Sequence, residues 1–235
     1  MRDGRLRRAE RRVLLEGPHL VAAALASGLK PVALLATDAA LARTEVQALL
    51  RQSGMAPTVL AESVFRSVAD AETPPGIAAE IAIPELRRDG PVVFLEGVQD
   101  AGNVGAIVRS AAAFGTGEVI LDRQCADPWS PKVLRAGMGG HFTLGIRQVD
   151  DLGAAIGTFG GRLICTTARG GRPLRDADLS GRIGWAFGAE GAGLSAAVLA
   201  RAAGRVTIPM AGTESLNVAA VAAICLYEAF SRSGG

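Results

Sequence analysis

Three segments in the second half of the chain place amide, carboxylate and arginine side chains beside glycines, each after an apolar stretch. They span residues 103–109, 188–194 and 208–218. Ligands of open α/β sheets bind just beyond the carboxyl ends of the strands. The three segments therefore predict one ligand site, although each alone is also typical of a strand-to-helix turn with a capping residue.

The first segment begins at Asn103 and ends at Arg109. Asn103 is predicted to cap a helix, and Gly102 and Gly105 let a ligand or another chain segment approach the backbone. Arg109 follows in a helix of small, apolar residues, where a lone arginine usually lies on the solvated face. The GxGxxG and GxxxxGK[ST] patterns of nucleotide phosphate sites are both absent from the sequence, which argues against an enzyme that binds a dinucleotide or a nucleoside triphosphate through one of these motifs.

The other two segments surround polar side chains with small residues. In the second, Glu190 follows an apolar strand and stands among three glycines, in a turn too flexible to be justified by packing alone. In the third, Ser215 and Asn217 precede a helix whose residues from Val218 onward are almost all small or apolar. That helix must be buried on most sides or packed against a second subunit, and its two leading polar residues are also compatible with simple capping.

Strands and helices alternate after Pro91, which predicts an α/β fold with a mostly parallel sheet and helices on both faces. The predicted strands are Val92–Val98, Glu118–Asp122, Thr143–Val149, Arg162–Ala168, Ile183–Gly188 and Arg205–Pro209. The last helix is predicted from Leu216 to Arg232. The three segments follow strands of this sheet, so the sheet is expected to bring them together.

A small α/β domain is expected before this sheet, over residues 1–83. Its helices are predicted at Gly17–Ser27, from a capping Asp38 to Gln52, and at Glu62–Ala69. Its strands are predicted at Pro31–Ala36, Pro57–Leu60 and Gly76–Ile83. Residues 84–90 are polar and bracketed by prolines, which predicts a linker, and residues 91–235 form the second predicted domain.

Composition narrows the classes of partner. The net charge is only +2, but residues 1–12 hold six arginines against two carboxylates. Arginine suits phosphate because its planar fork donates two hydrogen bonds at once, although a GC-rich genome would also favour arginine codons. Three widely spaced cysteines argue against a disulfide framework or a structural zinc site. No apolar run approaches the roughly 18 residues of a membrane span, so a cytoplasmic protein is expected.

Together, and in this order, the three segments resemble the signature motifs of the SpoU/TrmH family of RNA ribose 2′-O-methyltransferases. The matching positions are Asn103, Gly105 and Arg109, then Gly188, Glu190, Gly191, Gly193 and Leu194, then Ile208–Met210 with Ser215–Val218. Residues 132–140 are similar to the family's Arg-Ala-Ser-x-Gly segment, with Gly137 in place of the serine. The resemblance covers about residues 92–232, and residues 1–83 more loosely resemble the substrate-binding domain of larger members.

The resemblance implies a SPOUT-type fold with a trefoil knot, a homodimer with the last helix in its interface, and S-adenosylmethionine as cofactor. It implies cofactor contacts from Thr166, Gly188, Ala189, Glu190, Gly193, Ile208, Met210, Leu216 and Asn217. It implies catalytic roles for Arg109, Asn103, Glu190, Ser215 and Asn217. The residues expected to bind RNA are Arg7, Arg8, Arg11, Arg12, Arg109 and Arg135.

The expected reaction is methylation of a ribose 2′-hydroxyl. No metal is expected, because the sulfonium of the cofactor already activates the methyl group. A guanidinium stays protonated, so Arg109 is expected to stabilise alkoxide charge or to hold the adjacent phosphate, and not to act as the base. Ribosomal RNA of the 23S type is the expected substrate. A tRNA substrate and a non-catalytic RNA-binding protein of the same fold are the alternatives.

Overall fold

The computed structural model describes residues 4–86, 89–212 and 215–234. Its helices are α1 (Gly4–Glu10), α2 (Pro18–Ala26), α3 (Asp38–Leu41), α4 (Thr44–Ser53), α5 (Glu62–Val68), α6 (Ala101–Ala113), α7 (Pro131–Gly137), α8 (Leu152–Gly157), α9 (Ala196–Leu199) and α10 (Val218–Arg232). Its strands are β1 (Arg12–Glu16), β2 (Ala33–Ala36), β3 (Thr58–Val59), β4 (Ile77–Ala82), β5 (Val92–Glu96), β6 (Glu118–Asp122), β7 (Gly145–Val149), β8 (Arg162–Thr166), β9 (Arg172–Pro173), β10 (Ile183–Gly188) and β11 (Gly204–Thr207). The described strands form one sheet of four and one of seven.

The N-terminal sheet has the strand order β1-β4-β2-β3, with β4 antiparallel to both of its neighbours. Every predicted strand of this domain is present, but α1 and β1 are not expected from the sequence. The segment that forms α1 is dominated by arginine and lacks apolar periodicity, and β1 has only three apolar residues. Pairing with β4 makes β1 a strand.

The expectation of one helix capped by Asp38 is wrong in two respects. Thr37 is the cap, because its Oγ1 accepts a hydrogen bond from the Ala40 amide at 3.3 Å. The helix also ends after one turn. Arg43, with φ −86° and ψ 129°, is extended and separates α3 from α4. Apolar periodicity runs through both helices, so it does not reveal a single extended residue between them.

The C-terminal sheet has the strand order β7-β6-β5-β10-β8-β11-β9, and all its neighbouring strands are parallel. This confirms the predicted α/β architecture. The two-residue strand β9 is too short to be predicted from alternation. Strand β11 lies between β8 and β9, so residues 167–171 must carry the chain from β8 across β11 to reach β9.

Helices cover both faces of the large sheet, as the continuous apolar strands predict. On β5, Val93 and Leu95 share a core with residues of α6 and α10, whereas Val92 and Phe94 share a core with residues of α8 and α9. Trp185 on the central strand β10 is fully buried. Because alternate side chains of a strand enter different cores, the register of each strand is fixed. The register in turn fixes the residue at which each loop leaves the sheet.

The two domains share a hydrophobic core. Trp129, Leu134 and Phe142 of the C-terminal domain are buried in one cluster with residues of β1, β4 and α2. Ion pairs Arg7–Asp127 and Arg135–Asp70 also cross the junction. Of the predicted linker, Arg87 and Arg88 lie outside the described residues; its other residues carry no helix or strand. Over the described ranges, no helix is long and apolar enough to cross a membrane.

Candidate active site

A cavity of about 840 Å³ lies where β8, β10 and β11 end and α10 begins. This is the carboxyl edge of the sheet, where α/β folds bind ligands. Its size falls within the range of about 300–1,000 Å³ that small-molecule sites occupy. Ser215 lines the cavity. So do all nine residues expected to contact a cofactor: Thr166, Gly188, Ala189, Glu190, Gly193, Ile208, Met210, Leu216 and Asn217.

One residue from each sequence segment joins a hydrogen-bonded triad beside this cavity. Asn103 Nδ2 donates to Glu190 Oε1 at 2.7 Å. Asn217 Nδ2 donates to the same oxygen at 3.0 Å and to Asn103 Oδ1 at 2.9 Å. Two donors on one ionised oxygen make charge-assisted bonds that hold the carboxylate in place. Within the described residues, Glu190 Oε2 makes no hydrogen bond, which leaves it free to accept one from a ligand.

Helix caps set the orientation of both asparagines. Asn103 is not the cap of α6: Asp100 is, and its Oδ1 accepts from the Asn103 backbone amide at 2.8 Å. The expected capping role of Asn103 is therefore wrong, and its side chain is available to the triad instead. Asn217 does cap α10, because its Oδ1 accepts from the Ala219 and Ala220 amides at 2.9 and 3.3 Å. That bond aims its Nδ2 at the triad.

The turn from Gly188 to Leu194 folds back on itself so tightly that glycine is required. A Cβ added at Gly188 would lie 2.2 Å from the Gly193 carbonyl carbon. Gly191 and Gly193 have φ of 90° and 68°, the left-handed region that glycine reaches without strain. The Gly193 amide closes the turn by donating to Ala189 at 2.9 Å. The sequence-based view that packing alone does not explain these glycines needs amendment, since all three are needed for the turn itself.

Glu96 is a positioning residue that the sequence analysis does not single out. Its two carboxylate oxygens accept from the backbone amide and the hydroxyl of Ser195, each at 2.7 Å. The glycine turn is thereby tied to the end of β5. The neighbouring Gly97 amide donates to the buried Asp122 carboxylate at 3.1–3.2 Å. Glu96 directly follows four apolar strand residues. A charged residue at that position was the signal in the sequence that could have identified it.

Arg109 lies outside the cavity, on the exposed side of α6. Its backbone packs closely against Gly140, where an added Cβ would lie 3.2 Å from the Arg109 Cα. In the part of the chain that the structure describes, its guanidinium has no hydrogen-bond or ion-pair partner. Its catalytic role stays a prediction. The other expected catalytic residues lie at the cavity or in the triad: Asn103, Glu190, Ser215 and Asn217.

Five of the six arginines expected to bind RNA are paired with carboxylates. The pairs are Arg7–Asp127, Arg8–Asp127, Arg11–Glu85, Arg12–Glu80 and Arg135–Asp70, at 2.5, 3.8, 2.8, 3.5 and 3.0 Å. Arg7 is 4% exposed, so in this conformation it joins the two domains and does not face RNA. The other four are half-exposed and retain N–H groups for a phosphate, so their RNA contacts stay a prediction.

A steric clash explains why glycine stands at position 137, where the family's motif has serine. A Cβ at Gly137 would lie 2.3 Å from Cε1 and 2.7 Å from Nδ1 of His141. The His141 ring is fully buried, and its Nε2 bonds to the Pro128 carbonyl at 2.9 Å. Burial lowers the pKa of His141 to about 4. A serine at position 137 is therefore incompatible with this histidine unless the ring moves.

Two family profiles match this chain. The profile of the SpoU rRNA Methylase family matches residues 90–227, and that of the MRM3-like substrate binding domain matches residues 1–79. The 23S rRNA (guanosine(2553)-2′-O)-methyltransferase RlmP of Bacillus subtilis is 34% identical over 91% of this chain and 86% of its own length.

Two solved structures are similar over nearly the whole chain. An RNA methyltransferase of the TrmH family from Porphyromonas gingivalis superposes with a TM-score of 0.83 at 32% identity, covering 98% of this chain and 94% of its own. The SpoU methyltransferase AviRb from Streptomyces viridochromogenes, solved in complex with AdoMet, gives 0.89 at 27% identity, covering 99% and 94%.

Proposed function

Because this chain belongs to the SpoU rRNA methylase family, we propose that it transfers a methyl group from S-adenosylmethionine to a ribose 2′-hydroxyl of 23S ribosomal RNA. The observation that carries this proposal is the cavity at the carboxyl edge of the sheet, beside which the Asn103–Glu190–Asn217 triad joins the three segments. A residue from each segment reaches one place, as a single reaction centre requires.

The residues that line the cavity suit the chemistry of S-adenosylmethionine. Backbone amides of the tight turn after Gly188 suit the polar edges of a nucleoside, and Val206, Ile208 and Val221 provide apolar surface for its base. The spare oxygen of Glu190 suits the positive charges of the cofactor. When bound, the cofactor supplies a methyl group that its sulfonium already activates.

The protein must then align the attacking oxygen and stabilise charge. The two asparagine amides hold Glu190 in one orientation, so that the carboxylate need not reorganise when RNA arrives. Arg109, exposed and unpaired within the described residues, is suited to the RNA side of the reaction. It would donate to the acceptor 2′-oxygen or to the phosphate beside it.

Large-subunit ribosomal RNA is the proposed substrate because RlmP, similar over most of both chains, is named for 23S rRNA. Residues 1–79 match the profile of a substrate binding domain, which supports an RNA-binding role for the N-terminal domain. An enzyme acting on ribosomal RNA would work in the cytoplasm of a bacterium. A tRNA substrate remains the second candidate, and the assay below separates the two.

A homodimer through α10 is part of the same proposal. Ile224, Tyr227 and Phe230 on this helix are 40%, 57% and 37% exposed, and Phe114 of α6 packs on the last two. Exposed large apolar side chains grouped along one helix support an interface there. Ala222 is fully buried in its own core, so Tyr227→Arg is a cleaner test than a change at Ala222. Light scattering should find a dimer for the wild type and a monomer for the variant; a monomeric wild type at micromolar concentration would contradict the dimer.

We also propose the trefoil knot that the family resemblance implies. The insertion of β11 between β8 and β9 supports it, since residues 167–171 cross this strand.

The decisive experiment is methyl transfer from radiolabelled S-adenosylmethionine to purified 23S rRNA, 16S rRNA and bulk tRNA, with the modified nucleotide mapped as 2′-O-methyl. Calorimetry with S-adenosylmethionine, ATP and NAD accompanies it. Binding of S-adenosylmethionine with label only in 23S rRNA is the expected result. Label only in tRNA would replace the substrate, and binding without transfer to any RNA would favour a non-catalytic RNA-binding protein.

A further inference from the structure

Arg169 is a charged residue of the cavity wall that the reaction described above does not use. Among the described lining residues, the charged side chains are Arg169 and Glu190. Asparagine amides hold Glu190, whereas no described carboxylate lies within ion-pair distance of Arg169. Most of the arginines expected to bind RNA have such a partner. An exposed arginine on a cavity wall without an internal anion is suited to binding an anion of the ligand.

The loop that carries Arg169 is fixed on both sides. Before it, the Thr167 amide donates to Val206 at 2.9 Å, and Thr207 Oγ1 donates to the Ala168 carbonyl at 3.0 Å. After it, Gly171 packs so closely on β11 that an added Cβ would lie 2.6 Å from the Val206 carbonyl carbon. The backbone therefore presents the Arg169 side chain at a defined point of the wall, which lowers the entropic cost of binding.

We propose that Arg169 binds the α-carboxylate of S-adenosylmethionine and so selects the intact amino-acid end of the cofactor. This inference rests on the proposed function, because it concerns the same cavity. The cofactor carries a sulfonium, an ammonium and one carboxylate, and a guanidinium binds a carboxylate through two parallel hydrogen bonds. An RNA phosphate is a second source of oxyanion. The apolar floor of the cavity at Val206, Val221 and Cys225 favours the small cofactor.

The test compares two ligands that differ in one group. Decarboxylated S-adenosylmethionine keeps the sulfonium and the ammonium and lacks only the carboxylate. Calorimetry measures the Kd of both ligands for the wild type, Arg169→Ala and a matched control, Arg172→Ala. Arg172 is exposed three residues further along and does not line the cavity. RNA binding and the KM for RNA are measured on the same three proteins.

Arg169→Ala should weaken S-adenosylmethionine binding about tenfold or more, as expected for the loss of a charge-assisted contact. It should leave the affinity for the decarboxylated ligand within about twofold, so that the wild-type preference for the carboxylate disappears. Arg172→Ala should keep that preference. Equal loss for both ligands, or unchanged cofactor binding with a raised KM for RNA, would overturn the carboxylate contact. Failure of the wild type to bind S-adenosylmethionine would instead overturn the proposed function.

Discussion

Acidification should destabilise this protein through one buried imidazole, His141. Its Nε2 donates to the Pro128 carbonyl, which fixes the neutral tautomer, and within the described residues its Nδ1 has no partner. Burial is the main cause that lowers the pKa of His141 from 6.5 to about 4, and the Pro128 bond opposes it only in part. Protonation would place a proton on the unpartnered Nδ1, facing Gly137 in a fully buried site.

The magnitude follows from proton linkage. Between the unfolded pKa of 6.5 and the folded pKa of about 4, His141 is protonated in the unfolded chain but neutral in the folded chain. The free energy of unfolding therefore falls as the pH drops through this range. A shift of about 2.5 units at about 1.4 kcal/mol per unit gives a loss of about 3 kcal/mol between pH 6.5 and pH 4. Below pH 4 this contribution changes no further. The loss is a large share of the roughly 5–15 kcal/mol that stabilises a folded domain.

Urea unfolding of the wild type and of His141→Leu, at half-unit steps from pH 7.5 to pH 4, measures this contribution. The variant loses the Pro128 bond and is expected to be less stable at neutral pH, but the gap should close as the pH falls. Every other titrating group is common to both proteins, so the difference between the two profiles isolates the imidazole. Two parallel profiles would refute the assignment of His141 as a buried neutral base.

Four further outcomes are expected. Gly188→Ala should raise the Kd for S-adenosylmethionine at least tenfold because its Cβ would overlap the folded turn, whereas Gly157→Ala, with open space around its Cβ, should be close to neutral by calorimetry and thermal melting. Asn217→Asp keeps the acceptor that caps α10 but removes the triad donor; turnover should fall while circular dichroism shows the helix intact, and wild-type turnover would remove the triad from the site. Arg109→Ala should change stability by no more than about 0.5 kcal/mol and reduce turnover roughly 10²–10³-fold with unchanged cofactor affinity; full activity would exclude it from the reaction. Arg7→Ala should cost about 2 kcal/mol in urea unfolding, because it leaves a half-buried carboxylate with only a distant arginine, and an unchanged midpoint would show that the pair does not join the domains.

The sequence was informative where structure depends on neighbours along the chain. Strands β6 and β10 have the bounds that the sequence predicts, and the parallel sheet follows from the alternation of strands with helices. The family resemblance, carried by the three segments, pointed to residues that line the cavity, including Gly188 and Leu216. The family resemblance supplied the reaction. Helices and strands can be predicted from the sequence because their apolar residues recur every few positions.

The sequence could not predict pairings between distant residues. The triad joins Asn103 to Glu190 across 87 positions and to Asn217 across 114, and Arg7 reaches Asp127 across 120. Nothing in the sequence distinguishes Arg7, which is buried, from Arg8, which is exposed.

Thus the sequence alone determined which residue types this protein brings to its site and on which kinds of element they stand. Tertiary structure decided that Asp100 and not Asn103 caps α6, that Arg109 lies outside the cavity, and that His141 excludes a side chain at position 137. The physical reason is that capping, ion pairing and steric exclusion depend on which groups meet in space. In a close-packed interior each such contact is set by the packing of the whole domain.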